Sequence, residues 1–417
     1  MFCQAFDLIE SRLAELNAGA RTGASVLVMA LALFSPWANA QQTVQDRLQH
    51  PIHSVLLEKE SPLLGFRWGG EIFVDVPLND EPAGADLTLR KAKLKFHRKL
   101  GTNWQVKLSA DYNKGGDLEI NDSYAVYTGW PRALLKLGFT KPAFSLESVS
   151  GAASQVFMEE ALPVAALSER RAGGVNWLRR TSNSIINGAI LVFNPEQDGQ
   201  SNSGQALVLH YVHSPIDFAG RKGVNIGGSF SYRVNVDSKD TQFRSRPEIG
   251  TSNTRFVDTG EISDADKIIK FGLEASQVRG RFSWQQEIVA AQVERNSSPT
   301  ASFWGVYVLG SWFLTNDSRN FDLGQGRFRP QKVSSPMFKG GKGAWEVAVR
   351  ASYVDLSDAD VNGGSETNLT LGLNWYLNDD IRLMGNVVKV VDVDRPGNEF
   401  DGVDPLIVAV RAQWLIN

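Results

Sequence analysis

The sequence predicts an all-β fold: a transmembrane antiparallel β-barrel of sixteen strands. Segments of about ten residues alternate polar and apolar side chains along much of the chain, which is the length that a tilted strand needs to cross a bilayer. Many of these segments carry an aromatic residue at one or both ends of the apolar face, as a membrane girdle requires. No apolar run after residue 40 is long enough for a membrane helix.

The N-terminus has the pattern of an export signal. An apolar run follows Arg21 and ends at Ala38-Asn39-Ala40, with small residues at both key cleavage positions and a polar stretch after them. We therefore expect cleavage before Gln41 rather than a membrane anchor. Cys3, the only cysteine, would be lost with the leader. The predicted organisation is a signal peptide over 1–40, a short periplasmic segment over 41–64, and a barrel domain over 65–417.

The composition narrows the class of protein. Charged residues make up 21% of the chain, and 43 Lys and Arg nearly balance 46 Asp and Glu. This balance gives no sign of a nucleic-acid partner, so any preference for anions must come from where the cations are placed. No Pro/Ser-rich linker divides the chain, which favours one large β architecture.

The strands can be placed in order from the alternation. Trp104, Val106, Leu108 and Ala110 alternate with polar residues, and the same pattern recurs to the C-terminus. The predicted strands are 66–76, 87–98, 104–112, 118–128, 133–139, 173–180, 185–193, 205–213, 224–236, 267–278, 282–293, 303–314, 344–354, 368–377, 381–391 and 406–416. An even number leaves both chain ends on the periplasmic side.

The connections alternate in length. Those at 101–103, 181–183 and 378–380 are tight, whereas those at 140–172, 237–266 and 392–405 are long. Short periplasmic turns and longer outer loops are expected of an outer-membrane barrel. The glycine-rich connection 315–343 is long on the short-turn side, so either it contains further strands or it folds into the lumen.

The second predicted strand carries the most distinctive pattern, LTLRKAKLKFHRKL. Lys91, Lys93 and Lys95 lie on one face and alternate with small or apolar residues on the other. Neighbouring amino groups would be about 7 Å apart, so their repulsion is about 0.6 kcal/mol in water and about 2.4 kcal/mol at an effective dielectric constant near 20. Such a row is tolerated where it faces water or anions. If the apolar face touches lipid, the lysines line a water-filled lumen.

Five ordered blocks resemble the phosphate- and polyphosphate-selective porins of the O and P type. They are KPAFSLESVSGAASQVFMEEALP (141–163), FRSRPEIGTSNTRFVDTGEISDAD (243–266), FWGVYVLGSWFLTNDSRNFD (303–322), GAWEVAVRASYVDLSDADVNGG (343–364) and LTLGLNWYLNDDIRLMGNVV (369–388). The resemblance implies an outer-membrane homotrimer that passes inorganic phosphate, polyphosphate or other small anions, without enzymatic activity or a cofactor. It also implies that the third loop folds inward to constrict the pore, and that a fifth-loop segment and a long periplasmic connection enter the lumen.

The resemblance also implies the residues of the anion path. The second-strand cations Arg90, Lys91, Lys93 and Lys95 would line the pore, and Lys141 would open the inward loop. Asp122 would hold a neighbouring Lys or Arg and favour protonated phosphate, which can donate a hydrogen bond. Arg244 and Arg246 would form an outer collecting path, or else belong to an ordinary surface loop held by salt bridges.

The sequence departs from the family pattern at the inward loop, where Glu159 is followed by Glu160 instead of the usual arginine. The row on the second strand is mostly lysine, which lacks the bidentate fork of arginine, and the chain ends at Asn417 rather than an aromatic residue. The first two changes favour a general or differently selective diffusion porin as the first alternative, whereas the third concerns insertion efficiency only. A secreted soluble β-sandwich that binds a ligand, or an adhesin, is the second.

No motif predicts a metal site or an enzyme. His50 and His53 lack a carboxylate partner and a helical pattern, so we interpret them as solvent-exposed. Asp355, Asp358 and Asp360 lack the glycine and distal glutamate of a calcium loop, and we expect an outer turn there. Neither a serine elbow nor a catalytic triad can be recognised.

Overall fold

The computed structural model describes residues 67–78, 87–112, 118–193, 203–216, 222–236, 241–252 and 254–416. The signal peptide, the periplasmic segment 41–64 and the two histidines at positions 50 and 53 lie outside these residues. Among the helices of the described part, none is both long and apolar enough to span a membrane.

Sixteen antiparallel strands form the barrel wall. Seventeen segments belong to one sheet, and two of them make a single strand, β4, which is interrupted at Asn121 and Asp122. The strands are β1 Arg67–Pro77, β2 Thr88–Leu100, β3 Trp104–Tyr112, β4 Leu118–Ile120 with Ser123–Tyr127, β5 Ala133–Thr140, β6 Ala172–Arg180, β7 Ser184–Val192, β8 Gln205–Ile216, β9 Lys222–Val234, β10 Ala265–Arg279, β11 Phe282–Arg295, β12 Ala301–Phe313, β13 Ala344–Asp358, β14 Val361–Tyr376, β15 Ile381–Asp394 and β16 Leu406–Ile416.

The sheet closes on itself. Each strand pairs with the next along the chain, and β1 pairs with both β2 and β16, in a register that runs from Gly70↔Ile416 to Pro77↔Ala409. A closed sheet has no unpaired edge, so every wall strand can satisfy its backbone within a bilayer. The predicted sixteen-strand barrel is therefore confirmed, and a two-layer β-sandwich is wrong for this chain.

The alternation of side chains sets the two faces of the wall. In β14 the leucines at 369, 371 and 373 are exposed, whereas the alternate residues Asn368, Thr370 and Asn374 are buried inside. Apolar side chains therefore point outward toward lipid and polar ones point into the lumen, as in other transmembrane barrels.

Two connections from opposite ends of the barrel meet in the lumen. The connection 141–171 carries two short helices, α1 Leu146–Ser150 and α2 Leu162–Leu167. The connection 314–343 carries the strand pair Phe321–Asp322 and Arg327–Phe328 and a 3-10 helix, Met337–Lys339. Leu146 of α1 packs with Phe328 and with Val278 of β10. The sequence left the position of 315–343 open, and the structure places part of it inside the barrel.

Candidate pore constriction

A cavity of about 360 Å³ lies in the lumen between the inward connection 141–171 and the wall around β2 to β7. Two of its lining residues are carboxylates, Glu71 and Asp122, whereas nine are cations: Lys91, Lys93, Lys95, Lys107, Lys136, Lys141, Arg171, Arg327 and Arg329. The lining thus carries an excess of seven formal positive charges (nine minus two). A water-filled space with such a lining attracts anions.

The lysines of β2 lie on the inward face. Lys91, Lys93 and Lys95 all line the cavity, while Leu94 between them is 45% exposed on the lipid side. Glu71 of β1 lies opposite Lys93 in the register and pairs with the flanking lysines, 2.8 Å from Lys91 Nζ and 2.6 Å from Lys95 Nζ. Lys93 Nζ lies 3.5 Å from Asp111 of β3. Two carboxylates therefore relieve the repulsion among three lysines and leave the row positive overall.

Arg90 reaches the lumen through a β-bulge. Lys91 faces the lumen, so strict alternation would place its neighbour Arg90 on the lipid face. The register shifts at this point, because Phe73 pairs with Lys91 whereas Val74 pairs with Leu89, and Arg90 is left without a partner residue in β1. The extra residue turns inward and binds Glu159 through two hydrogen bonds, Nε to Oε1 at 2.9 Å and Nη2 to Oε2 at 2.8 Å. The sequence grouped Arg90 with the lysines, whereas in the structure it holds the inward connection.

The two glutamates of the inward connection are both paired. Glu159 binds Arg411 of β16 at 2.7 Å in addition to Arg90. Burial raises the pKa of the Glu159 carboxyl, but the charges of Arg90 and Arg411 outweigh burial and bring that pKa to about 2. Glu160 lies 3.2 Å from Lys141 Nζ. Burial also lowers the pKa of the Lys141 amine, against the opposing effect of Glu160.

Asp122 lies at the interruption of β4 and joins two cations. Its Oδ2 is 3.1 Å from Lys107 Nζ, and its Oδ1 is 3.0 Å from Arg171 Nε. The sequence led us to expect a Lys or Arg partner for Asp122 without identifying it. Lys107 was detectable, because it alternates with apolar residues in β3. Arg171 is the last residue of the inward connection, and no local pattern indicates its position.

The outer arginines Arg244 and Arg246 belong to a connection that packs on the constriction. Arg244 belongs to a two-residue strand that pairs with Val257–Asp258 in the connection 235–264. The backbone of this connection packs on the constriction, since a Cβ at Gly250 would collide with Arg90 Nε and would lie 2.6 Å from Glu159 Oε1. Burial and Arg90 lower the pKa of Arg246. Burial and the two arginines at 244 and 246 lower the pKa of Arg255 to about 10.

The connection 314–343 crosses the lumen and supplies cations that the sequence analysis did not identify. A Cβ at Gly326 would meet Ile185 of β7 at 3.2 Å and Val212 of β8 at 3.4 Å. The tip of the connection therefore touches β7 and β8, across the lumen from β12 and β13, which the connection joins. Arg327 and Arg329 then face the same cavity as the lysines. No strand or helix pattern marks this segment in the sequence, which is why its arginines were missed.

The opposite wall fixes the inward connection. Arg350 of β13 is fully buried, pairs with Glu147 at 3.1 Å and Glu248 at 2.9 Å, and lies over the Phe157 ring at 4.6 Å. The carboxylate of Glu287 in β11 accepts the backbone N–H groups of Leu146 and Glu147 at 2.9 and 2.8 Å. These contacts hold α1 against the wall and away from the lysines.

The three aspartates that the sequence placed in an outer turn bind protein groups. Asp355 and Asp358 belong to β13, because its pairing with β14 continues to Asp358, and only Asp360 lies in the turn. Asp355 accepts the Ser357 N–H at 2.9 Å, Asp358 accepts the Ser302 N–H at 2.7 Å, and Asp360 pairs with Arg295. Within the described ranges, no group of three or more His, Cys, Asp or Glu side chains could hold a metal ion.

The sequence is similar to a family of porins and to two known proteins. The family described as "Phosphate-selective porin O and P" matches residues 66–416. An uncharacterised protein from Caulobacter vibrioides is 27% identical over 335 residues, which cover 76% of this chain and 66%, just under two thirds, of that protein. Porin O of Pseudomonas aeruginosa is 23% identical over 324 residues, which cover 69% of this chain and 72% of Porin O.

Solved porins share the architecture. An anion-selective porin from Comamonas acidovorans superposes with a TM-score of 0.51 at 12% identity, covering 84% of this chain and 99% of that one. OmpT of Vibrio cholerae, solved in a trimer form, gives a TM-score of 0.50 at 11% identity and covers 84% and 98% of the two chains. These likenesses concern the fold.

Proposed function

The chain belongs to the phosphate-selective porin O and P family, and from this premise we propose that it is a passive outer-membrane channel for small anions, with phosphate or polyphosphate as its solute. The observation that carries the proposal is the cavity lining, in which nine cations surround two carboxylates. An anion that leaves bulk water for this space exchanges part of its hydration for fixed positive charges, which lowers the cost of entry.

The arrangement of the cations supports passage rather than tight binding. Six of the lining cations lie within 3.5 Å of a carboxylate oxygen: Lys91, Lys93, Lys95, Lys107, Lys141 and Arg171. A partly neutralised cation attracts an anion less strongly than a free one, so the solute can move between several weak sites and leave. Lysine also meets phosphate as a point charge without bidentate geometry.

Two measurements in planar bilayers test the proposal. The zero-current potential across a potassium chloride gradient should show that chloride passes in preference to potassium. Inorganic phosphate added to chloride solution should then reduce the chloride current, because both anions use the same cations. Equal permeability of potassium and chloride would overturn the anion preference, and chloride current that phosphate leaves unchanged would overturn the phosphate assignment.

A general or differently selective porin is the second candidate. It is favoured by Glu159 and Glu160, which place two carboxylates within the inward connection, where they pair with Arg90 and Lys141. This candidate predicts that phosphate does not block the chloride current and, for a general porin, that potassium passes as well as chloride. The bilayer measurements above therefore separate the two.

We further propose export through residues 1–40 and assembly as a homotrimer embedded in outer-membrane lipid. The OmpT structure in a trimer form supports the assembly by analogy of fold. Gel electrophoresis of unheated, detergent-extracted protein should show a band near three times the chain mass that collapses on heating. N-terminal sequencing of that protein should begin at Gln41. A band at the mass of one chain would contradict the trimer.

A further inference from the structure

A short turn at the end of the barrel with tight connections exposes apolar side chains. The 3-10 helix Met337–Lys339 follows Pro336 and ends at Gly340, whose φ of 82° is left-handed. Met337 is 42% exposed and Phe338 is 66% exposed. Two lysines, Lys339 and Lys342, are exposed in the same turn. An apolar pair flanked by cations is unusual for a surface that meets only water.

Hydrogen bonds fix this turn against the outer side of the wall. The Met337 N–H donates to the Leu377 carbonyl at 2.8 Å, in the turn that joins β14 to β15. The Trp375 indole Nε1 donates to the Lys342 carbonyl at 3.1 Å. Trp375 stacks on Trp345 with ring centroids 4.8 Å apart. Trp375 shares the lipid-facing side of β14 with Leu373, so the end of the turn lies at the lipid side of the barrel.

The exposed pair extends an existing belt. Trp312 at the end of β12 and Leu314 just after it are also exposed at this rim, and Phe282 packs beside Trp312 with centroids 6.2 Å apart. Aromatic residues at the ends of barrel strands lie at the level of the lipid headgroups. A turn joined to this belt reaches the same depth, where apolar side chains and lysines both find favourable partners.

We propose that the turn formed by residues 336–343 is a lipid anchor. Met337 and Phe338 insert into the headgroup region of the bilayer, and the amino groups of Lys339 and Lys342 bind anionic phospholipid headgroups. Because short turns face the periplasm in outer-membrane barrels, the leaflet is the inner, phospholipid leaflet of the outer membrane. The anchor adds a membrane contact outside the strands, and it does not depend on which solute crosses the pore.

Depth-dependent quenching tests the anchor. We would introduce Phe338→Cys in a Cys3→Ser background, label it with bimane, and reconstitute the protein into vesicles of phosphatidylcholine with phosphatidylglycerol. Lipids brominated near the carboxyl end of the acyl chain quench only fluorophores that enter the bilayer. Leu371→Cys, on the lipid face of β14, is the positive control. Glu399→Cys, in the connection between β15 and β16, is the aqueous control.

We expect brominated lipids to reduce the fluorescence at position 338 by an amount within about twofold of their effect at position 371. Aqueous iodide should quench the fluorophore at position 338 only a little. Lys339→Glu with Lys342→Glu should reduce the quenching by brominated lipids in vesicles containing phosphatidylglycerol and leave it unchanged in pure phosphatidylcholine. Iodide quenching at 338 equal to that at 399 would overturn the proposal in favour of a water-facing turn. Protection from both quenchers would also overturn it, in favour of contact with a second copy of the chain.

Discussion

Two walls face each other across the lumen of this barrel, and both carry ionised side chains. On the packing wall, which comprises β11 to β14, Arg350 has no exposed side-chain area and meets two carboxylates. On the pore wall, which comprises β2 to β5, Lys91 and Lys95 share the single carboxylate of Glu71 and line an open cavity. The inward connection 141–171 rests on the first wall and leaves space beside the second.

The difference shows that residue type alone does not decide what a charge does. A cation surrounded by carboxylates and shielded from water becomes part of the packing, because removing either partner leaves a buried unpaired charge. A row of cations with fewer carboxylates keeps a positive field in the water beside it. The number of carboxylates per cation and the access of water decide whether a charge is structural or acts on solutes.

The largest expected effect is on the packing wall. Arg350→Ala leaves Glu147 and Glu248 buried without their cation, which should cost about 3–5 kcal/mol and release α1 from the wall. The heat-induced shift in gel mobility should then occur at a lower temperature, and single-channel conductance should rise. Lys332→Ala, which removes an exposed ion pair with Asp379, is the control and should change neither property much. Unchanged heat stability in the Arg350 variant would show that this ion pair does not hold the loop.

The next effect concerns selectivity. Lys91→Glu with Lys93→Glu lowers the excess positive charge of the cavity lining from seven to three, because each exchange changes the charge by two. The local field beside the two positions should reverse, making the site roughly 2 kcal/mol less favourable for a monovalent anion about 7 Å away, even at the dielectric constant of water. Anion preference, measured as zero-current potential in a chloride gradient, should fall more than tenfold. Lys91→Gln with Lys93→Gln should give an intermediate value. If both variants keep the original ion preference, the lysines lie outside the conduction path.

A smaller change is expected at Glu160, within the inward connection. Glu160→Arg removes the partner of Lys141, 3.2 Å away, and adds two units of positive charge near the cavity. Phosphate should then block chloride current at a severalfold lower concentration, and Glu160→Gln should shift the block in the same direction by less. Identical phosphate titrations for all three proteins would place residue 160 away from the solute.

The smallest effect is the response to acid. The pKa of Glu159 is lowered to about 2 in the folded protein, below the value of about 4.3 for an unperturbed glutamate. Its stabilising contribution is therefore complete above the unfolded pKa and is lost as the pH falls through the folded pKa. Heat stability should decline between about pH 4 and pH 2, and Glu159→Gln should remove part of that decline. Equal declines in the two proteins would show that other carboxyls control it.

Strand positions could be predicted well from the sequence because lipid and water impose a strict alternation on each strand. The range 104–112 was predicted as it is observed. The range 344–354 was too short, since β13 continues to Asp358 and turns directly into β14 at Val361. Beyond the bilayer both faces of a strand can be polar, so the alternation disappears there although the pairing continues.

The partners of the charged residues could not be predicted, because they are distant in sequence. Arg411 binds Asp75 and Glu159, and only closure of the barrel brings β16 beside β1. The inward position of Arg90 depends on a bulge whose register is set by β1. The alternation of β2 placed Lys91, Lys93 and Lys95 on one face, but it gave no indication that Glu71 would pair with two of them.

The central claim is that the pore wall lines the path of the permeating anion. Cysteine accessibility tests this most directly, with Lys93→Cys and Leu94→Cys compared in a Cys3→Ser background. A negatively charged, water-soluble methanethiosulfonate reagent should reduce anion current through the Lys93→Cys channel. It should leave the Leu94→Cys channel unchanged, because that side chain faces lipid. Current through the Lys93→Cys channel that persists after labelling, with modification verified by mass spectrometry, would contradict the account.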